Sequence, residues 1–182
     1  KKSDKPEERA FLNNGKKNIL LYTGNLDQNG ITTSVNNLLQ NLDRTENNYF
    51  VAFGAEKTKN HQQAIASLPD GVKYFPVQGT FNLTLTKKMM WTLCKKEKFP
   101  VSIVMKALKK EWKYEIQRIF GGANFDSAIQ FNGYEMKSIL LFSQFDCNNA
   151  IYVHNDMVQE IKTRANQRKD VLEYAYPLYD HV

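Results

Sequence analysis

The sequence predicts an α/β fold, an open parallel sheet with helices on both faces, and three observations predict it. Apolar runs of strand length alternate along the chain with segments whose apolar residues recur at helical spacing. The first pair sets the pattern. In residues 18–42 (NILLYTGNLDQNGITTSVNNLLQNL) the run Ile19, Leu20, Leu21, Tyr22 passes through a polar loop, Thr23 to Gly30. It then enters a helical stripe of Ile31, Val35, Leu38, Leu39 and Leu42. Third, three of the strand ends carry small or polar residues, and the C-terminal ends of parallel strands are where such sheets bind ligands. Together these predict a Rossmann-like sheet.

Taken in order, residues 1–16 read as a charged leader or chain edge, and 17–182 as one domain. Strand 1 is predicted over 18–24 and helix 1 over 31–42. Strand 2 spans Tyr49–Phe53 and closes at Gly54, and a polar helix covers Asn60–Ser67. Pro69-Asp70-Gly71 marks a turn, because proline fixes φ and glycine permits positive φ. Strand 3 is predicted over Val72–Val77. A helix follows from Thr84 or Thr86 to Lys96, stopping before Phe99-Pro100. A longer one covers Val101–Phe120, striped by Val101, Val104, Leu108, Trp112, Ile116 and Ile119, and Gly121-Gly122 ends it. Strand 4 is Phe125–Phe131, then helix Glu135–Phe145, strand 5 Ala150–Val153, and a helix over Met157–Arg168. Val171–Tyr176 continues that helix or forms another short one. The closing PLYDHV reads as the start of a further strand, so a piece of a longer chain is expected.

Composition excludes several classes. With 42% hydrophobic and 12% aromatic residues in 182, the chain is too apolar to be disordered. No apolar run approaches the ~18 residues of a membrane span, and the charged start lacks the apolar core of a signal peptide. Cys94 and Cys147 lie far apart in apolar segments and read as reduced thiols of a cytoplasmic protein. His61, His154 and His181 form no metal-binding spacing, so neither a metal nor another cofactor is expected. The net charge of +6 is concentrated: Lys87 to Arg118 holds ten Lys/Arg against three Asp/Glu. That points to a local anionic partner and away from nucleic acid.

Strands 1, 4 and 5 are expected to be neighbours. Their ends carry Thr23-Gly24-Asn25, Asn132-Gly133-Tyr134 and His154-Asn155-Asp156. Amides, hydroxyls and one imidazole on such a rim suit a hydroxyl-rich ligand, which needs donors and acceptors more than charge. Asn29-Gly30, preceding Ile31-Thr32-Thr33, could hold a phosphate through backbone amides at a helix N-terminus; the bland reading is a plain turn. The loop is neither GxGxxG nor a P-loop. His154 reads either as a site residue or as a hydrogen-bonded structural imidazole. Asp156 reads as a helix cap, with Gln159 three residues on. Trp91, Trp112 and Met89-Met90 are expected to face the core or a neighbouring domain. The rival reading for this basic segment is a surface meeting anionic lipid, with Lys106, Lys109, Lys110 and Lys113 on its polar face.

Three stretches in this order, GKKNILLYTGNL…NGITTSVNNLL, NFDSAIQFNGYE and AIYVHNDM, resemble the amino-terminal domain of GT-B glycosyltransferases of the family 4 type. The closer likeness is to Gram-positive enzymes of teichoic acid or surface polysaccharide, some fused to a CDP-glycerol glycerophosphotransferase module. It covers Lys17 to Val182. The resemblance implies one half of a GT-B fold: an acceptor-side domain facing a nucleotide-sugar domain across a cleft. It implies that Asn29, Gly30 and Thr32 lie near donor phosphates and acceptor, and that His154 lies near the transferred sugar. Asn132, Gly133, Tyr134 and Asn155 fall on the acceptor side. Asn29 departs from the pattern, standing where the family often has a second glycine. The donor-binding carboxylate motif belongs to the other domain, so this chain alone is expected to lack most of the donor site.

The expected function is therefore transfer of a sugar from a nucleotide-sugar to a glycan or polyol-phosphate acceptor, cytoplasmic, with a peripheral position at the inner face of the cell membrane. The alternative is a non-catalytic accessory or membrane-docking domain of a glycerophosphotransferase-type polymerase. A flavodoxin-like signalling domain would want clustered acids at the end of strand 1, where only Asp27 stands.

Overall fold

A computed structural model describes residues 14–57, 61–163 and 167–182. It contains a five-stranded sheet built from β1 (Lys17–Tyr22), β2 (Asn47–Gly54), β3 (Lys73–Val77), β4 (Ser127–Gln130) and β5 (Asn148–Ile151). The order is β3-β2-β1-β4-β5 and every pairing is parallel. This is the Rossmann-like arrangement, with the order reversing between β1 and β4. Pro76 lies on β3, at the sheet edge, where its missing N–H is tolerated.

Eight α-helices are present among the described residues: α1 (Gly30–Asn41), α2 (His61–Ala66), α3 (Leu85–Lys95), α4 (Val101–Ala107), α5 (Lys109–Phe120), α6 (Met136–Phe142), α7 (Met157–Thr163) and α8 (Lys169–Ala175). Short 3-10 turns follow β2 at Ala55–Lys57 and α8 at Tyr176–Leu178. The period-2 alternation of strand side chains divides the core. Leu20, Tyr22, Phe50, Ala52, Ala128 and Ile151 point to one face, against α3–α6 and α8. Leu21, Tyr49, Val51 and Phe53 point to the other, against Val35 and Leu39 of α1 and Ala64 of α2. Trp112 is fully buried, with Trp91 edge-on at 5.5 Å and Phe81 at 4.4 Å. The tryptophans are thus core residues, whereas Met89 is exposed and takes no part in the core.

Element ends differ from expectation for identifiable reasons. β1 stops at Tyr22 because Gly24 takes φ +78° and turns the chain. The helix expected over Val101–Phe120 bends at Leu108 (φ −101°, ψ 13°). Leu108 N donates to Val104 O and Trp112 N to Leu108 O, so Leu108 closes α4 and opens α5. β5 lies two residues earlier than expected, leaving Tyr152 to His154 as the loop beyond it. Asn60, the expected start of α2, and part of the expected Met157–Arg168 helix lie outside the described residues. Asp156 does cap α7, its Oδ1 accepting from Val158 N and Gln159 N. The tail aligns parallel with β5: Ile151 N donates to His181 O (3.0 Å) and Asp180 N to Asn149 O (3.1 Å).

Candidate functional site

The loops leaving β1, β2, β4 and β5 are joined into one rim. Thr23 N donates to Ala52 O and Gly54 N to Gly24 O, which ties the first loop to β2. Phe131 N and Asn132 N both donate to Tyr22 O, which ties the β4 loop to β1. Contact is closest at two glycines. At Gly24 a side chain would overlap the amide of Asn132, and a Cβ on Gly133 would stand 2.8 Å from Tyr152 O. Both have φ in the left-handed region, +78° and +71°, where residues bearing a Cβ are strained.

This packing brings Asn132, Gly133, Tyr134, His154 and Asn155 together. His154 Nε2 lies 2.5 Å from Phe131 O; a carbonyl only accepts, so Nε2 is the donor of this bond. The imidazole packs edge-on to Phe131 and beside Tyr152. Asn155 Nδ2 donates to the Tyr134 hydroxyl and to Glu160 Oε1 (3.3 Å). Asn132 Oδ1 accepts from Tyr134 N (3.1 Å), fixing the turn. The ring is thus hydrogen-bonded through one nitrogen and half-buried on the rim.

A buried polar frame below the rim was not anticipated. Gln130, fully buried at the end of β4, donates from Nε2 to Ser138 Oγ (2.9 Å) and accepts from Gly133 N (2.7 Å). Gln167 Nε2 donates to Gly133 O (3.0 Å). Every hydrogen-bonding group of the Gly133 backbone is thereby matched to a buried glutamine. Tyr22 donates its hydroxyl to Glu135 Oε2. Burial first, then the Glu135 charge, raises the Tyr22 pKa well above its ordinary value, so Tyr22 is a fixed donor. The signal for Gln130 was present as a polar residue closing an apolar strand, FDSAIQF.

Asn29 and Gly30 stand on the neighbouring loop, and the structure gives Asn29 a definite duty. Its Oδ1 accepts from Thr32 N (2.9 Å) and its Nδ2 donates to Asn25 Oδ1 (3.1 Å). It is the N-cap of α1 with extended backbone. This accounts for an asparagine at the position without any ligand. Gly30 differs: a Cβ there would meet nothing within 4 Å. Thr32 is buried, its Oγ1 directed at Asn25 O (3.4 Å), on the side facing α2.

Lys106, Lys109, Lys110 and Lys113 are all exposed on α4 and α5. Lys113 pairs with Asp146 at 3.0 Å. Ile103 and Tyr114 are exposed among them. Arg118 is committed elsewhere, with Lys137, to the buried carboxylate of Glu115 at 2.8 Å each. Burial pushes the Glu115 pKa up, but the hydrogen bonds and charges of Arg118 and Lys137 outweigh it and leave it lowered. Arg118 Nη1 also donates to Gln78 O, and the Lys137 ammonium lies over the Phe81 ring, so the cluster pins the loop after β3.

Among the described residues no group of three His, Cys, Asp or Glu side chains could hold a metal ion, and no helix is long and apolar enough to cross a membrane. Compared with models of known protein families and with curated protein sequences, the chain matches none.

Proposed function

We propose that this chain is the acceptor-side half of a GT-B glycosyltransferase, acting with a nucleotide-sugar domain to glycosylate a teichoic acid or other surface polysaccharide. The observation that supports this most is the rim. Neutral amides and hydroxyls with one half-buried imidazole converge at the switch point of a parallel sheet, on a loop whose backbone is held by buried Gln130 and Gln167. Such groups recognise hydroxyls with directional hydrogen bonds, and a prearranged loop lowers the cost of ordering an acceptor. His154 would hydrogen-bond a sugar hydroxyl through Nδ1 and orient it, the N-terminal turn of α1 would approach the donor phosphates, and the remaining donor contacts would come from the second domain. The test is sugar transfer by the full-length protein with a panel of nucleotide-sugars. His154→Ala is expected to lower the rate about 100-fold through lost orientation. Wild-type rates in that variant would remove the assignment.

A second reading, an accessory domain docking on membrane, is favoured by one observation. Ile103 and Tyr114 are exposed among four exposed lysines on α4 and α5. Each lysine near an anionic bilayer contributes about 1 kcal/mol, screened by salt. Charge reversal at Lys106, Lys109, Lys110 and Lys113 should abolish sedimentation with phosphatidylglycerol vesicles. Undiminished binding would end that reading.

A further inference from the structure

Along α4 and α5 the two signs of charge are sorted by depth. Lys106, Lys109, Lys110 and Lys113 are exposed, whereas Val104, Leu108, Trp112 and Glu115 of the same stretch are buried. Separations of three or four residues put successive Cβ atoms roughly 5–6 Å apart, so the lysines form a row along the helix axis. The carboxylates of α5 do not offset this row. Glu111 is held by Lys87 of α3, and Glu115 by Arg118 and Lys137. Within the row, and among the described residues, Lys113 alone has an ion pair, with Asp146 at 3.0 Å.

A partner complementary to a row of cations carries repeated negative charge along a line. Three features narrow its chemistry. All four cations are lysines, point charges on flexible stems that follow a mobile anion without fixing its geometry. The guanidinium of α5, Arg118, is committed to Glu115 and to Gln78 O. Tyr114 is the one exposed aromatic ring on α4 and α5, whereas single-stranded nucleic acid is held on successive aromatic platforms. The exposed Ile103 and Tyr114 stand roughly 16 Å apart along a helix, with the lysines between them, whereas a bilayer takes up a continuous apolar face.

We infer that this row binds a flexible linear phosphodiester polymer that carries no bases, with its phosphates spaced along Lys106, Lys109, Lys110 and Lys113. Attraction of this kind releases counterions and weakens steeply with salt. Lys113 contributes least, because Asp146 already neutralises part of its charge. As the identity of an acceptor the polymer rests on the glycosyltransferase reading; as a bound partner it does not. The experiment measures binding alone, so failed sugar transfer and failed polymer binding are separate results.

The experiment is fluorescence anisotropy of a labelled poly(glycerol phosphate) chain titrated with the protein over a series of salt concentrations. Saturable binding is expected, with a logarithmic salt slope that loses about 0.7 in each of Lys106→Gln, Lys109→Gln and Lys110→Gln. Lys113→Gln should lose less, and Asp146→Asn should tighten binding about twofold by freeing Lys113. All five positions are exposed, so the variants should keep the urea midpoint of the wild type. The inference is overturned by absent or unsaturable binding, or by a slope that the three lysine variants leave unchanged. It is equally overturned if poly(U) displaces the labelled chain more readily than unlabelled poly(glycerol phosphate) does, which marks a nucleic-acid surface. Binding to phosphatidylglycerol vesicles without binding to the soluble polymer marks a bilayer surface and overturns it too.

Discussion

Gly24, Gly30 and Gly133 lie on adjacent loops, yet their backbones ask for different things. Gly24 and Gly133 hold positive φ and touch Asn132 and Tyr152 where a side chain would go. Alanine at either should cost about 1–3 kcal/mol from the strained backbone together with the displaced neighbour. Gly30 begins α1, has open space on its Cβ side, and should accept alanine with an unchanged or slightly raised denaturation midpoint. Chemical denaturation of the three variants checks the contrast. The sequence directed attention to Gly30, because Asn-Gly before a helical stripe is a local pattern. Gly24 and Gly133 matter through contacts with residues 108 and 19 positions away, which no local pattern carries. Asn29 shows the converse: its capping role needs only Thr32, three residues on, a separation that a local pattern carries.

At the scale of elements, α5 is fastened by one carboxylate to α6 and, through Arg118, to the loop after β3. Glu115 of α5, Arg118 one turn later and Lys137 of α6 form a cluster that a count of charges reads only as part of a basic segment. Removing the carboxylate in Glu115→Ala should destabilise the fold by about 2–3 kcal/mol, less than a fully buried pair would lose because both cations keep some access to water. Its lowered pKa gives the pH dependence a sign. The stabilisation is present above the pKa of the free carboxyl and is lost as pH falls through the lower folded value. Glu115→Gln should therefore flatten the acid limb of stability measured by urea denaturation from pH 7 to pH 3 (roughly the carboxylate range). Elements themselves were well placed by periodicity. The bend at Leu108 was not, because no proline or glycine marks it.

For the whole molecule, the alternation of strands and helices made the sheet readable, and the expectation that strands 1, 4 and 5 are neighbours holds in the order β3-β2-β1-β4-β5. The polar strand ends do meet, for Asn132 to Tyr134 and for His154 with Asn155. What the sequence could not display was the frame that fixes them, Gln130 to Gly133 and Gln167 to Gly133, since Gln167 reaches across 34 positions.

The central position of β1 also sets a timetable. Its first neighbour, β2, follows after a short crossover, whereas β4 begins more than a hundred residues downstream. Closing that longer separation is entropically later and slower, so the β1–β3 half should gain structure before β4 and β5 add to it. Pulse-labelling hydrogen exchange during refolding should protect the amides of Leu21 and Val51 ahead of those of Ile129 and Ile151; simultaneous protection would show a concerted assembly instead. During that interval Leu20 and Tyr22 would have one sheet edge unpaired, open to a wrong partner strand. The rim that carries His154 would then be among the last parts of the molecule to exist, and the first to disappear when β5 detaches.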